Sequence, residues 1–151
     1  MTVTNHILAG ALIGMTVHNP IVAALLAFAS HFVMDALPHF GYAGRKGYSE
    51  ALKHKLSYGV AGFTLISSVA IVGILMVNRE WFALMTGLVA ASPDAVGLYN
   101  YLMYERRDQA AQGLSKLHIK THRAIQWCER PWGVLTELAT SIALSSVLWR
   151  I

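Results

Sequence analysis

Hydrophobic residues in this chain come in blocks. Residues 57–77, SYGVAGFTLISSVAIVGILMV, carry no charge, and a run of about 20 apolar residues is what a membrane-spanning helix needs. Four further blocks cover residues 5–17, 20–37, 81–104 and 131–149. The residue before a proline is biased out of the helical region, so Asn19-Pro20 marks a turn between the first two blocks. Pro20 itself is tolerated at a helix start. Residues 113–128, GLSKLHIKTHRAIQWC, read differently. Leu114, Leu117, Thr121, Ile125 and Cys128 fall on one helical stripe, and Lys116, Lys120 and Arg123 lie away from its centre. His118 and His122 are four apart, share a face and border the stripe. This is the pattern of an amphipathic helix lying in a membrane interface. The expected fold is all-α: a polytopic membrane helical bundle of about five hydrophobic helices plus one interfacial helix, in a single domain spanning residues 1–151.

Composition supports that expectation. Of 151 residues, 55% are hydrophobic and 13% charged, against about 25% charged in soluble domains; mean hydropathy is +0.46. A formal net charge of +4 would raise the question of nucleic acid in a soluble protein. Here its placement gives another reason. Arg45, Lys46, Lys53 and Lys55 lie between the second and third blocks. Arg106, Arg107, Lys116, Lys120, Arg123 and Arg130 lie between the fourth and fifth. Ten of the twelve Lys and Arg therefore sit in two loops, which the positive-inside rule places in the cytoplasm; no nucleic-acid partner is expected. The single cysteine, Cys128, excludes an internal disulfide and a Cys-based metal cluster. The first residues lack a basic n-region, so no cleaved signal peptide is expected. Trp127, Trp132 and Trp149 suit an interfacial aromatic belt. Gly10 and Gly14 form a small-xxx-small pair that permits close helix contact, with chance in a Gly-rich chain as the alternative.

Against this background the ionisable residues inside the blocks stand out. His31 and Asp35 are spaced i and i+4 in ASHFVMDALPHF and project from the same side of a helix, where they can grip one ion. Phe32, turned about 100° away, is expected to meet a neighbour or lipid. His39 follows Pro38, where the helix can end, and is a reserve ligand. His6 opens the first block. Asp94 lies 13 residues into the fourth, about 20 Å at helical rise, past the membrane midplane. Glu137 is about two turns into the fifth. With the basic loops inside, all of these fall in the cytoplasmic leaflet. An ionisable side chain at membrane depth is costly unless paired, so it marks function by default. Imidazole and carboxylate together suit a divalent metal, zinc first, with iron or manganese as the other candidates. The bland readings are a hydrogen-bonded core histidine for His6, a cap on a broken helix for Asp94, and a helix-start carboxylate favoured by the dipole for Glu137. His18 reads as a surface histidine and His54 as solvated.

The stretches NHILAGALIG, SHFVMDALPHF and SPDAVGL resemble the His-Gly, Ser-His-x-x-x-Asp and Pro-Asp motifs of the bacterial and archaeal inner-membrane metal-dependent hydrolases. That family is distantly similar to zinc-dependent phospholipase C-like proteins. The resemblance covers most of the chain, and SHFVMD is its most specific part. It implies His6 as a metal ligand, His31 and Asp35 as a ligand pair, and Asp94 as a bridging or terminal ligand. It also implies a prokaryotic inner-membrane location. The chain departs from the family pattern where AVG follows Pro93-Asp94 in place of a second Asp and a His. HIKTHRAIQW offers His118 or His122 in place of the family's His-Arg-Gly-x-Thr-His-Ser stretch, and His122 is the second reserve ligand.

The expectation is a membrane-embedded, metal-dependent hydrolase acting on a phosphoester or lipid-like substrate at the cytoplasmic leaflet. In it Glu137 or Asp94 takes a proton, and Arg123 or Arg130 holds an anionic headgroup. The alternatives are a metal or proton transporter using the same cluster, or a structural bundle with His/Asp hydrogen bonds between helices.

Overall fold

A computed structural model describes residues 1–41, 54–104, 107, 109–125 and 129–150, with the side chain of Arg123 excluded. Arg45, Lys46, Lys53, Arg106, Trp127 and Cys128, named above, lie outside the described residues.

The described chain is helical: α1 (Val3–Thr16), α2 (Pro20–Asp35), α3 (Lys55–Val77), α4 (Trp81–Met103), α5 (Gly113–Ile125) and α6 (Gly133–Leu148). Each hydrophobic block becomes a helix, but their lengths differ. α3 and α4 have 23 residues each and are long and apolar enough to cross a membrane. α1 has 14 residues, and α2 and α6 have 16 each. At about 1.5 Å per residue these reach about 21–24 Å, short of the roughly 30 Å hydrocarbon thickness of a bilayer.

α1 is the central helix. It packs against α4, α2, α6 and α3, and Thr4 through Ala11 are all buried. Small residues set the α1–α4 seam. A methyl built on Gly10 would overlap the Thr86 carbonyl and come within 2.7 Å of Ala90 Cβ and 2.8 Å of Gly87 Cα. One built on Gly14 would overlap Thr86 Oγ1 and stand 2.9 Å from Ala83 Cα. The small-xxx-small pair is therefore a contact surface, and side chains larger than hydrogen are excluded by backbone.

The interior is polar at one end and apolar at the other. Ala11, Leu75, Ala83 and Leu84 form the apolar cluster, with Met15, Ile71, Val72 and Leu148 against it. Towards the start of α1 the buried residues are Thr4, Asn5, His6, His31, Asp35 and Glu137. Polar contacts join helices there: Thr4 Oγ1 donates to the Thr64 carbonyl at 3.1 Å and lies 2.7 Å from Ser67 Oγ. The outer surface is the reverse of a soluble protein's. Ile21, Leu25 and Val33 on α2, Leu65, Ile66 and Val69 on α3, and Leu135 and Ile142 on α6 are each more than 60% exposed. Large exposed apolar surface marks contact with lipid or protein.

Two local features aim the site. Asn19 caps α2, its Oδ1 accepting from Ile21 N at 3.0 Å and Val22 N at 3.1 Å, as an N-cap asparagine does. Beyond α2, strand β1 (His39–Phe40) pairs in parallel with β2 (Glu129–Arg130), His39 opposite Glu129. Gly133 lets α6 start against this pair, since a methyl there would overlap the His39 carbonyl.

Candidate metal centre

Asp35, the last residue of α2 and 1% exposed, is the hub. Its Oδ1 lies 3.2 Å from His6 Nε2. Its Oδ2 lies 3.3 Å from His31 Nε2 and 3.4 Å from His122 Nδ1. The α-ammonium of Met1 also contacts Oδ1. Asp94 adds a second carboxylate, with Oδ2 3.9 Å from His6 Nε2. Four helices thus deliver five side chains: His6 from α1, His31 and Asp35 from α2, Asp94 from α4, and His122 from α5.

Local chemistry explains each placement. His31 and Asp35 meet because they are one helical turn apart. His6 reaches them because the Gly10–Gly14 seam seats α1 deep in the bundle. Asp94 follows Pro93, yet α4 runs unbroken from Trp81 to Met103, so Asp94 is not a cap on a broken helix. Pro93 has no N–H for the Val89 carbonyl; Ser92 Oγ donates to it instead at 2.8 Å, the kind of side-chain substitution that lets proline persist in such helices.

The ring of His31 has a defined orientation. Its Nδ1 is 3.0 Å from the Ala90 carbonyl oxygen. A carbonyl only accepts, so Nδ1 carries the hydrogen, and in the neutral ring Nε2 carries a lone pair. That lone pair faces Asp35 Oδ2 at 3.3 Å and His122 Nε2 at 3.4 Å. Either a proton on one of the partner groups or a cation between them satisfies these lone pairs. A histidine whose other nitrogen is held by a carbonyl is the usual arrangement of a metal ligand.

The spacings fit a small ion. Donors 2.0–2.2 Å from a tetrahedral centre stand about 3.3–3.6 Å apart. The His31–Asp35 and Asp35–His122 separations of 3.3 and 3.4 Å match that edge. Two overlapping groups, His6/His31/Asp94 and His31/Asp35/His122, could each hold a metal ion. His6 Nδ1 and Asp94 Oδ2 are buried and have no hydrogen-bond partner among the described residues, while His6 Nε2 faces Asp35 Oδ1 at 3.2 Å. A buried polar atom without a partner costs about 1–3 kcal/mol, which a cation at Asp94 Oδ2 would offset.

α5 turns its polar side inward. Ser115 is buried and His122 is 11% exposed, whereas Leu114 and Leu117 are 75% and 60% exposed. The His118 ring packs against His122, tilted by 40°, with centroids 3.9 Å apart. Burial, with the neighbouring imidazoles second, pushes His118 down to about 4, so the ring stays neutral at pH 7. Phe32 contacts the rings of His31 and His122, at 5.2 and 6.4 Å between centroids; it borders the site rather than pointing away.

Three other residues are placed elsewhere. His39 Nδ1 donates to the Leu37 carbonyl at 2.7 Å, and its Nε2 faces Glu129 Oε1 at 3.8 Å. The strand pairing sets this direction, and His39 is in neither ion-holding group. Glu137 accepts from Thr2 N at 2.9 Å, Thr2 Oγ1 at 2.8 Å and Asn5 Nδ2 at 2.8 Å. Its charge sits at the N-terminus of α1, where the helix dipole favours it, and these bonds clamp α1 in place. The sequence reading assigned Glu137 a proton-transfer role from depth alone; what it touches is Thr2 and Asn5. Glu137→Gln should therefore destabilise the fold by about 1–3 kcal/mol, because an amide turns N–H groups towards donors. Thermal melts in detergent check this, and an unchanged melting temperature contradicts the clamp. Arg130 is exposed and donates Nη1 to the Glu129 carbonyl at 2.8 Å. The Arg123 side chain lies outside what is described.

Sequence reasoning missed the Ala90 carbonyl, the Thr2/Asn5 partners of Glu137 and the Glu129 partner of His39. None of these had a signal in the sequence: Pro93 frees the Val89 carbonyl, not that of Ala90. No family model, curated protein or solved structure matches the chain.

Proposed function

We propose that the chain is a membrane-embedded, metal-dependent hydrolase acting on a phosphoester or lipid-like substrate at the cytoplasmic leaflet. The observation that carries this is the trio of His31, Asp35 and His122, whose ligand atoms lie within 4.8 Å of one another and could hold a metal ion. The motif resemblance points to the same residues. Zinc suits the donor set best, with iron or manganese also compatible. A divalent ion held there supplies Lewis acidity towards a phosphoryl oxygen and makes water acidic enough to attack at neutral pH.

The chain's own residues do the rest. The Ala90 carbonyl fixes the His31 tautomer and ring. Phe32 shields one side of His31 and His122 from water. Lys116 and Lys120, four apart on α5, line an open groove of about 390 Å³ with Ala111 and Ile119. They join Arg130, whose Nη1 donates to the Glu129 carbonyl and whose other N–H groups remain as donors, in the anion-binding role. The exposed Leu114 and Leu117 seat α5 in the lipid interface, bringing that groove to headgroup level. A transport path is disfavoured, because Ala11, Leu75, Ala83 and Leu84 pack the opposite end of the described bundle with apolar side chains.

The test uses the full chain purified in detergent. Elemental analysis should find a divalent metal that chelator removes. The protein should hydrolyse a chromogenic phosphodiester, lose that activity with the metal, and regain it on reloading. A chain that holds no metal and gains no thermal stability from added zinc, manganese or iron would leave the structural reading in place.

A further inference from the structure

We infer that Asp35 bridges two ion positions, so that the centre is dinuclear; this rests on the metal reading above and deepens it. The first position lies at His6 Nε2, which faces Asp35 Oδ1 at 3.2 Å and Asp94 Oδ2 at 3.9 Å; an ion there takes the place of the Met1 α-ammonium on Oδ1. The second lies between His31 Nε2, His122 and Asp35 Oδ2.

Three observations separate the positions. The two oxygens of Asp35 face different imidazoles: Oδ1 is 3.2 Å from His6, whereas Oδ2 is 3.3 Å from His31 and 3.4 Å from His122. The His6 and His31 rings are stacked, with centroids 4.1 Å apart and planes 27° from parallel. An imidazole lone pair lies in the plane of its ring, so stacked rings direct their lone pairs side by side rather than to one point. Two ions bound that way stand about 4 Å apart, near the 3.5–4 Å spacing of two-metal sites. Finally, a buried atom without a hydrogen-bond partner among the described residues lies at the first position: Asp94 Oδ2, 3.9 Å from His6 Nε2. His31 cannot serve both positions, because its Nδ1 is held by the Ala90 carbonyl.

The charge balance names a substrate class. Two divalent cations, with the Met1 α-ammonium beside them, outweigh the Asp35 and Asp94 carboxylates and leave the centre net positive, which suits an anionic phosphoester whose oxygens face both ions. Two-metal sites stabilise the attacking and leaving oxygens of such an in-line displacement.

Manganese loading of the full-length protein in detergent tests the inference. Saturated wild type should hold two ions per chain and give an exchange-coupled paramagnetic resonance signal. His6→Ala should hold one ion and give the uncoupled six-line signal. Asp94→Asn, at a side chain 21% exposed and so milder for folding, should do the same. One ion per saturated wild-type chain, or loss of all metal from folded Asp94→Asn, overturns the dinuclear centre and leaves the metal reading standing. No metal in the wild type overturns both.

Discussion

Asp35→Asn is expected to abolish stoichiometric divalent metal while leaving the chain helical. Asp35 is the one residue that touches His6, His31 and His122 together. Changing a residue that merely orients a ligand costs about 10–100-fold in metal affinity. Replacing a shared carboxylate with an amide should exceed the upper end of that range, because the negative charge at the centre goes with it. The readout is elemental analysis together with melting temperature. A ligand at 100 times its Kd stabilises the state that binds it by about 2.7 kcal/mol, on the order of 5–10 °C for a chain of this size. Wild type should show such a shift on adding zinc, and Asp35→Asn should show none. Val33→Ala, at a side chain 66% exposed on the same helix, should behave as wild type. Phe32 would be a poor control, since its ring lies against His31 and His122. Full metal occupancy in Asp35→Asn would remove Asp35 from the centre.

Gly10→Leu should have the largest effect on the fold itself. Overpacking a filled interior costs about 1–3 kcal/mol where side chains can give way. At Gly10 the obstacles are the Thr86 carbonyl and the Gly87 Cα, which are backbone and cannot move aside. The cost should reach or pass the upper end of that range. α1 would be forced off α4, and His6 lies one turn from Gly10 on the same helix. Metal binding should weaken together with stability. Gly62→Leu is the matched control, because a side chain there meets nothing within 4 Å. Equal melting temperatures for the two variants would show that the seam is looser than described.

Local features of this chain were legible from its residues. The apolar blocks become helices because hydrophobic runs of that length leave the backbone no better way to satisfy its own hydrogen bonds. His31 and Asp35 share a face because helical spacing is a property of the backbone alone. The His118/His122 pair on an amphipathic helix is legible for the same reason. Gly10 and Gly14 could be seen as small residues, but not as a contact surface, since that depends on which helix lies opposite.

Everything decided by distance along the chain belonged to the tertiary structure. Depth along a presumed span grouped Glu137 with the histidines, yet its carboxylate turns to Thr2 and Asn5. Depth is one coordinate, and it carries no information about rotation around the bundle. His39 was ambiguous after Pro38 and was aimed by a two-residue strand pairing with Glu129, 90 positions away. The apolar stripe of α5 was readable as a stripe, but its outward direction was not. The bundle takes the polar face carrying Ser115 and His122, because buried polar groups need polar partners, and leaves Leu114 and Leu117 exposed. The central position of Asp35 follows from histidines of three helices converging on one carboxylate, and no periodicity within a single helix encodes that convergence.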